Sequence, residues 1–259
     1  MTEIRLETQT LTRHFGALKA VQGVNLKLET GARHALIGPN GAGKTTLINL
    51  LTGVLSPTEG RVLLAGRDIT AKAQAERVKL GIARTFQINR LFRGLSVLEN
   101  VCIAIAERVG AAPSMFYPAG WRTDVIGESM QLLQTLKMQD AARRRVSELP
   151  YGRQRLVELA IAIGLKPEVL LLDEPAAGVP SAEHHIILDA VEGLPKDIAV
   201  LIIEHDMDVV FRFAKRVTVM VGGAVFAEGT PREIEANQDV RAVYLGQSTQ
   251  KTSHGSKHG

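Results

Sequence analysis

A single cysteine, Cys102, occurs in 259 residues, which excludes an internal disulfide. It lies in the apolar run VCIAIA and reads as a buried structural thiol of a reducing cytoplasm, not as a catalytic one. Membrane-length apolar stretches are missing as well. Apolar runs such as IAVLII (198–203) and VLLL (169–172) fall far short of a span, so contact with a membrane would go through a partner. The opening MTEIRLETQ has no apolar core, and a secretory signal is not expected. Charge of one sign is nowhere concentrated. The net charge is +4, but the densest basic run, Arg143–Arg145, is short, sits among alanines and reads as a solvated helix face. No nucleic-acid partner is expected. Internal repeats, heptad runs and zinc-type cysteine pairs are also missing.

What remains is an apolar content of 45%, ample for a packed core. The first part alternates short strand patterns, IRLET, VNLKL, HALIG and RVLLAG, with turn signals at Gly31 and SPTEG. KTTLINLLTG, VLENVCIAIAERV and VIGESMQLLQTLKM read as helices, and GIARTFQ as a strand between the first two. Continuous aliphatic strands (VLLL, IAVLII, VTVMVG) then alternate with helices, the pattern of an α/β fold whose parallel sheet is buried on both faces. Between Ala106 and Asp124 the rhythm breaks, and the segment reads as an irregular insertion. The tail 247–259 has almost no apolar content and reads as disordered.

Three stretches carry chemistry. GPNGAGKTT (38–46) follows the strand HALI and opens a helix, matching G-x-x-x-x-G-K-[ST]. In such a loop the backbone of Gly38, Pro39, Asn40, Gly41, Ala42 and Gly43 curls around a phosphate. Lys44 neutralises the β/γ oxygens, and the hydroxyl of Thr45, with Thr46 beside it, faces Mg²⁺. That is a nucleoside triphosphate site. A guanine-reading N-K-x-D motif is absent, which argues against a GTPase. VLLLDEP (169–175) is a buried strand ending in Asp173, suited to hold the water shell of Mg²⁺, and Glu174, suited to polarise a water toward the γ-phosphate. The third stretch is ELPYGRQRLVELA (148–160). Leu156, Leu159, Ala160 and Ile163 give its helix one apolar face, and its start gathers unpaired N–H groups that attract an anion.

The order of these pieces, with Gln87 in ARTFQ and His205 in IIEHD, resembles the nucleotide-binding subunit of an ABC transporter, from about Ile4 to Gly246. The resemblance implies a P-loop NTPase with a mixed β-sheet core, an antiparallel β subdomain and a helical subdomain at about 88–165, all within one domain, 1–246. It implies ATP and Mg²⁺ as ligands, with Glu174, His205 and Gln87 catalytic and Thr45, Gln87 and Asp173 around the metal. Phe15 would stack on adenine, although a core phenylalanine is the rival reading. Two such subunits pair head to tail in that family, so Gly152 would reach the γ-phosphate held by the partner. Two permease subunits and a periplasmic substrate-binding protein would complete the assembly, with this chain on the inner face of the cell membrane.

Two positions depart from the family pattern. Pro150 stands where serine is usual, so the hydroxyl contact to the γ-phosphate is lost, at a cost of about 1.5–3 kcal/mol in the closed dimer. Pro180 stands where an aspartate or asparagine usually crosses between subunits. DEPAAGV, EHDM, YGRQR and the ending AEGTPREIEANQDVRAVYLG resemble the ATPases of branched-chain amino acid importers. Urea or short-amide importers and lipopolysaccharide exporters share parts of this pattern, and soluble ABC ATPases form a further alternative.

Overall fold

A computed structural model of the protein gives residues 3–85, 91–110, 123–180 and 184–248, with the backbone alone for 244–248. The N-terminal part consists of β1 (Ile4–Phe15), β2 (Leu18–Val24), β3 (Lys27–Glu29), β4 (Arg33–Ile37), α1 (Lys44–Leu51), β5 (Glu59–Leu64) and β6 (Arg67–Asp68). Next come α2 (Gln74–Lys79), β7 (Ile82–Arg84), α3 (Val97–Arg108), α4 (Thr123–Thr135) and α5 (Tyr151–Gly164). The rest is β8 (Val169–Asp173), α6 (His184–Glu192), β9 (Ala199–Ile203), α7 (Met207–Phe213), β10 (Arg216–Val221) and β11 (Ala224–Gly229). Two helices, α8 (Pro231–Ala236) and α9 (Gln238–Ser248), close the described chain.

The strands form two sheets. An antiparallel one runs β2-β1-β5-β6, with β3 also on β1, and a second runs β11-β10-β4-β9-β8-β7. Every pairing in the second is parallel except β10 with β11, which makes it mixed. Its central strands are aliphatic because both of their faces are covered. Ala35, Ile37, Leu170, Leu172, Val200 and Ile202 pack in one cluster with side chains of α3–α7. The intervening Leu36, Val169, Leu171, Leu201 and Ile203 pack in another with α1 and the antiparallel sheet. The alternation of period two is what divides the core into these layers. The register Asp173↔Ile203 brings the carboxyl ends of β8 and β9 level.

Most patterns read as strands and helices are present, with shifts in extent: VNLKL divides between the end of β2 and β3, and the strand in GIARTFQ is Ile82–Arg84, with 86 and 87 outside the described residues. IRLET is the start of a strand that continues to Phe15 and turns at once into β2. Residues 106–108 and 123–124, assigned above to the irregular insertion, are the last turn of α3 and the start of α4. The pattern VLENVCIAIAER carried that information, since the capping box between Ser96 and Glu99 starts a helix whose apolar face runs on through Ala106. Residues 111–122 lie outside the described residues, as do 249–259 of the tail, while 247 and 248 belong to α9. Cys102 is buried, within 3.2 Å of Ser129 Oγ, and burial raises its thiol pKa.

Two buried polar devices hold the layers. Arg77, 1% exposed, donates to the carbonyls of Leu50 and Leu51 at 2.7 and 2.9 Å and to those of Thr70 and Lys72. It thereby satisfies the C-terminal carbonyls of α1 with a cation, the favoured sign for that end of the dipole. His34 on β4 sits 2.8 Å from Thr218 Oγ1 on β10, and burial lowers its pKa from 6.5 to about 4. The neutral imidazole is therefore the folded form. Its contribution is complete above pH 6.5 and is lost as pH falls toward 4, in total about 3 kcal/mol. Glu158 on α5 acts oppositely, because burial raises its pKa from 4.5 to about 7. Its contribution is complete below pH 4.5 and is lost as pH rises through 7. The two slopes offset each other between about pH 4.5 and 6.5 in the wild type. Urea unfolding across that window is expected to show stability falling with rising pH in His34→Gln and rising with pH in Glu158→Gln. Identical slopes in the two variants would refute the assignment.

Candidate functional site

The carboxyl ends of β4, β8 and β9 converge, and each delivers one chemical segment. After β4 the loop 38–43 turns into α1. Gly38 (φ 151°) and Gly43 (φ 96°) have conformations that favour glycine, and a Cβ on either would strike a backbone oxygen, that of Met220 or Ala20. The loop is therefore clamped between β10 and the β1–β2 hairpin. Gly223 N donates to Ala42 O at 3.1 Å and closes it from the β10–β11 side. Gly43 caps α1 without a side-chain bond, so the first N–H groups of the helix remain available to an anion. Lys44 folds its ammonium back onto the loop, donating to the carbonyls of Gly38 at 2.6 Å and Pro39 at 3.0 Å. Burial lowers its pKa, against an opposing pull from the charges of Glu174 and Asp173.

At the end of β8 the chain does something unusual for a non-glycine residue. Glu174 adopts φ 47°, a left-handed conformation that costs on the order of 1–3 kcal/mol. It is held there because its N–H donates to Ile203 O at 3.0 Å and its own carbonyl accepts from Ala177 N at 3.0 Å. The kink turns the Glu174 side chain off the strand line, and its carboxylate, half exposed, lies 3.9 Å from His205 Nδ1. Asp173 stays in the strand, where its Oδ2 accepts from Arg84 Nη2 at 2.5 Å.

Glu204, to which the sequence assigned no duty, is the brace of this corner. It is 1% exposed, and its two oxygens accept from Ala176 N at 3.1 Å and His205 N at 3.2 Å. Burial raises its pKa while the two backbone donors lower it. The carboxylate thus ties the turn after Glu174 to the end of β9 and fixes the backbone of His205, whose ring is largely exposed. A glutamate directly after the aliphatic run AVLII was the available signal, since a carboxylate at the end of a fully covered strand sits beside buried side chains and needs donors.

Phe15 lies at the tip of the β1–β2 hairpin, 42% exposed and with the Arg13 guanidinium 4.6 Å from its ring centre, so it is not a core residue. Gln87 lies outside the described residues; Arg84, three positions before it, ends β7. The helix α5 starts at Tyr151, with Pro150 as its N-cap and no side-chain cap. Its first internal bond runs from Gln154 N to Pro150 O, which leaves the N–H groups of Tyr151, Gly152 and Arg153 without a helical acceptor. In the single chain Gly152 is buried, lining a groove shared with His185–Ala190 of α6. Arg153, the next residue, is paired with Asp140 at 2.7 Å. Arg155 stacks on Tyr151 at 5.3 Å and reaches Ala177 O, joining the start of α5 to the turn before the exposed Pro180.

Among the described residues no cluster of three His, Cys, Asp or Glu is placed to hold a metal. The donor set beside the loop, the Thr45 hydroxyl and the Asp173 carboxylate, is all hard oxygen, which fits Mg²⁺ completed by phosphate oxygens and water. No helix among the described residues is long and apolar enough to cross a membrane.

Residues 21–177 match the ABC transporter family, and residues 224–248 match the branched-chain amino acid ATP-binding cassette transporter family. The chain belongs to the ABC transporter family. It is 36% identical over 250 residues to BraF, a high-affinity branched-chain amino acid transport ATP-binding protein of Pseudomonas aeruginosa, covering 94% of this chain and 98% of that one. Against the corresponding protein LivG of Escherichia coli K12 the identity is 36% over 255 residues, covering 96% and 100%. Among solved structures it resembles an ATP-binding cassette of an ABC transporter in its ADP conformation, with a TM-score of 0.83, 34% identity and coverage of 95% and 100%. A nucleotide-free cassette gives a TM-score of 0.82 at 32% identity, covering 93% and 98%. The ABC cassette is thus an α/β P-loop NTPase fold, and the chain is an ATP-binding ATPase subunit of this family.

Proposed function

We propose that this subunit powers the import of branched-chain amino acids, as one of two ATPases bound to a pair of membrane permeases on the cytoplasmic face. The observation that carries the cargo is the match of residues 224–248, which include β11, α8 and α9, to the branched-chain family. None of the residues assigned to ATP or Mg²⁺ lies within 224–248, so ATP chemistry alone does not account for their likeness. A periplasmic binding protein would present the amino acid to the permeases.

In this reading the single nucleotide-binding domain, 1–246, uses its residues as follows. Phe15 stacks on adenine, and the loop 38–43 with Lys44 and Thr46 grips the phosphates. Thr45, Gln87 and Asp173 would hold Mg²⁺, which when bound would supply positive charge to the triphosphate. Glu174 aligns and polarises the attacking water, and His205 lies beside it to contact the γ-phosphate. A second ATPase, identical or paralogous, closes head to tail so that the free N–H groups at Gly152 meet the ATP of its partner. The shared triphosphate holds the closed pair, and its hydrolysis lets the pair open. The departure at Pro150 removes a hydroxyl from this seam, and the one at Pro180 removes a side chain, so backbone groups carry both contacts.

Co-expression with two polytopic permeases and their binding protein tests the proposal. Reconstituted ATPase activity is expected to rise several-fold with leucine, isoleucine or valine and not with urea or short amides. Stimulation by the amides instead would overturn the cargo, and failure to associate with any permease would overturn the transport role.

A further inference from the structure

Arg84 is accounted for by none of the roles above, yet it joins two of the elements that build the nucleotide site. Its Nη2 donates to Asp173 Oδ2 at 2.5 Å and its Nη1 to Asn49 Oδ1 at 2.8 Å. Both members of the ion pair are well covered, with 15% and 24% of their side chains exposed. Such a pair holds its geometry better than a surface bridge, because a charged donor in a poorly solvated place gains little by leaving its acceptor. The guanidinium is also fixed from behind. Arg84 is in register with Leu171 on β8, and Thr85 N donates to Leu171 O at 3.0 Å. Asn49 stands four positions after Thr45 on α1, on the same face of the helix. The chain of contacts therefore runs from the face of Thr45 through Asn49 and Arg84 to Asp173.

Among the described residues the bonds of Asp173 use one of its two carboxylate oxygens. Among the described residues no donor reaches Oδ1, which leaves that oxygen for a metal-bound water. Groups of this kind, hydrogen-bonded to a ligand and not to the metal, fix the orientation of the ligand and tune its affinity. We propose that Arg84, anchored by Asn49, is a positioning residue that orients the Asp173 carboxylate toward the divalent cation of the bound nucleotide. This rests on the nucleotide-and-metal reading of the site given above. The same contact ties the end of β7 to Asp173.

The test is an equilibrium titration of Mn²⁺, read by electron paramagnetic resonance, into the full-length protein saturated with a non-hydrolysable ATP analogue. Arg84→Ala is expected to weaken Mn²⁺ binding by about tenfold, near the lower end of what such outer partners contribute. Its affinity for the analogue without metal should stay within about twofold of wild type. Arg84→Lys, which reaches one partner at most, should recover part of the loss, and Asn49→Ala should lose less than Arg84→Ala. A purely structural role would lower the unfolding midpoint and leave the metal affinity of the folded protein alone. Unchanged Mn²⁺ affinity in folded Arg84→Ala would overturn the proposal. Should that variant not fold, unchanged affinity in both Arg84→Lys and Asn49→Ala would overturn it equally. Absence of nucleotide-dependent Mn²⁺ binding in the wild type is a separate outcome that would overturn the metal reading itself.

Discussion

Glu174→Gln is expected to lower ATP hydrolysis by about a thousandfold, roughly 4 kcal/mol in the barrier, and to leave ATP binding within a few-fold of wild type. The substitution is nearly isosteric, and the bonds that hold the kink are made by backbone groups: Glu174 N to Ile203 O and Ala177 N to Glu174 O. The left-handed conformation at φ 47° is therefore kept, and what is lost is a carboxylate that can accept a proton from water. Thr10, Ala65, Lys137 and Lys166 share the left-handed conformation, so it is the combination with the end of a central strand and with Asp173 and His205 alongside that sets Glu174 apart. Because the γ-phosphate then survives, the closed pair of subunits should accumulate. Size-exclusion chromatography with ATP and Mg²⁺ should show a dimer for the variant and chiefly monomer for the wild type. Hydrolysis at the wild-type rate, or a variant that stays monomeric with ATP both alone and bound to permeases, would refute the assignment. His205→Ala should have a smaller effect on binding than on turnover, since its ring lies 3.9 Å from Glu174 and makes no bond to the phosphate loop.

Much of this corner was legible in the sequence because its signals are local. A loop that must bend at fixed glycines, or a strand that must be aliphatic on both faces, writes its requirement into consecutive residues. Gly38, Gly43, Asp173 and Glu174 were found that way, and the strands that carry them occur at the expected positions. The residues that went unassigned act across the sheet. Glu204 is meaningful only because Ala176, remote in sequence, presents its N–H to it. Arg84 reads as an ordinary strand residue until β7 is laid beside β8 and α1 crosses behind them. Arg77 is a buried cation two of whose acceptors are the last carbonyls of a helix that ends 26 positions earlier, at Leu51. No pattern of period two or four reports such contacts. The start of the insertion was placed too early for a different reason: Ala106, Glu107 and Arg108 sit next to a glycine- and proline-rich stretch, although the helix pattern VLENVCIAIAERV runs on to Val109.

Lys44→Ala is expected to weaken ATP binding by about a hundredfold, with hydrolysis falling below detection and no dimer forming with nucleotide. The side chain contributes a full positive charge in a half-buried place, where a charge-assisted bond to a phosphate oxygen is worth about 1.5–3 kcal/mol. The same ammonium bonds the carbonyls of Gly38 and Pro39, so it also braces the loop it serves. Its removal therefore has two consequences of opposite visibility. The loop loses two internal bonds, which costs little because its shape is also enforced by Ala20, Met220 and Gly223 packed around its glycines. The nucleotide loses its main cation, and Asp173 and Glu174 remain close by with less positive charge to offset them. Repulsion between those carboxylates and the triphosphate then adds to the loss. Lys44→Ala should accordingly unfold at nearly the wild-type temperature without nucleotide and should lack the stabilisation that ATP gives the wild type. Titration of a fluorescent ATP analogue, without Mg²⁺ so that only the loop is tested, separates this variant from Glu174→Gln. An affinity within threefold of wild type would mean that the phosphates are held elsewhere.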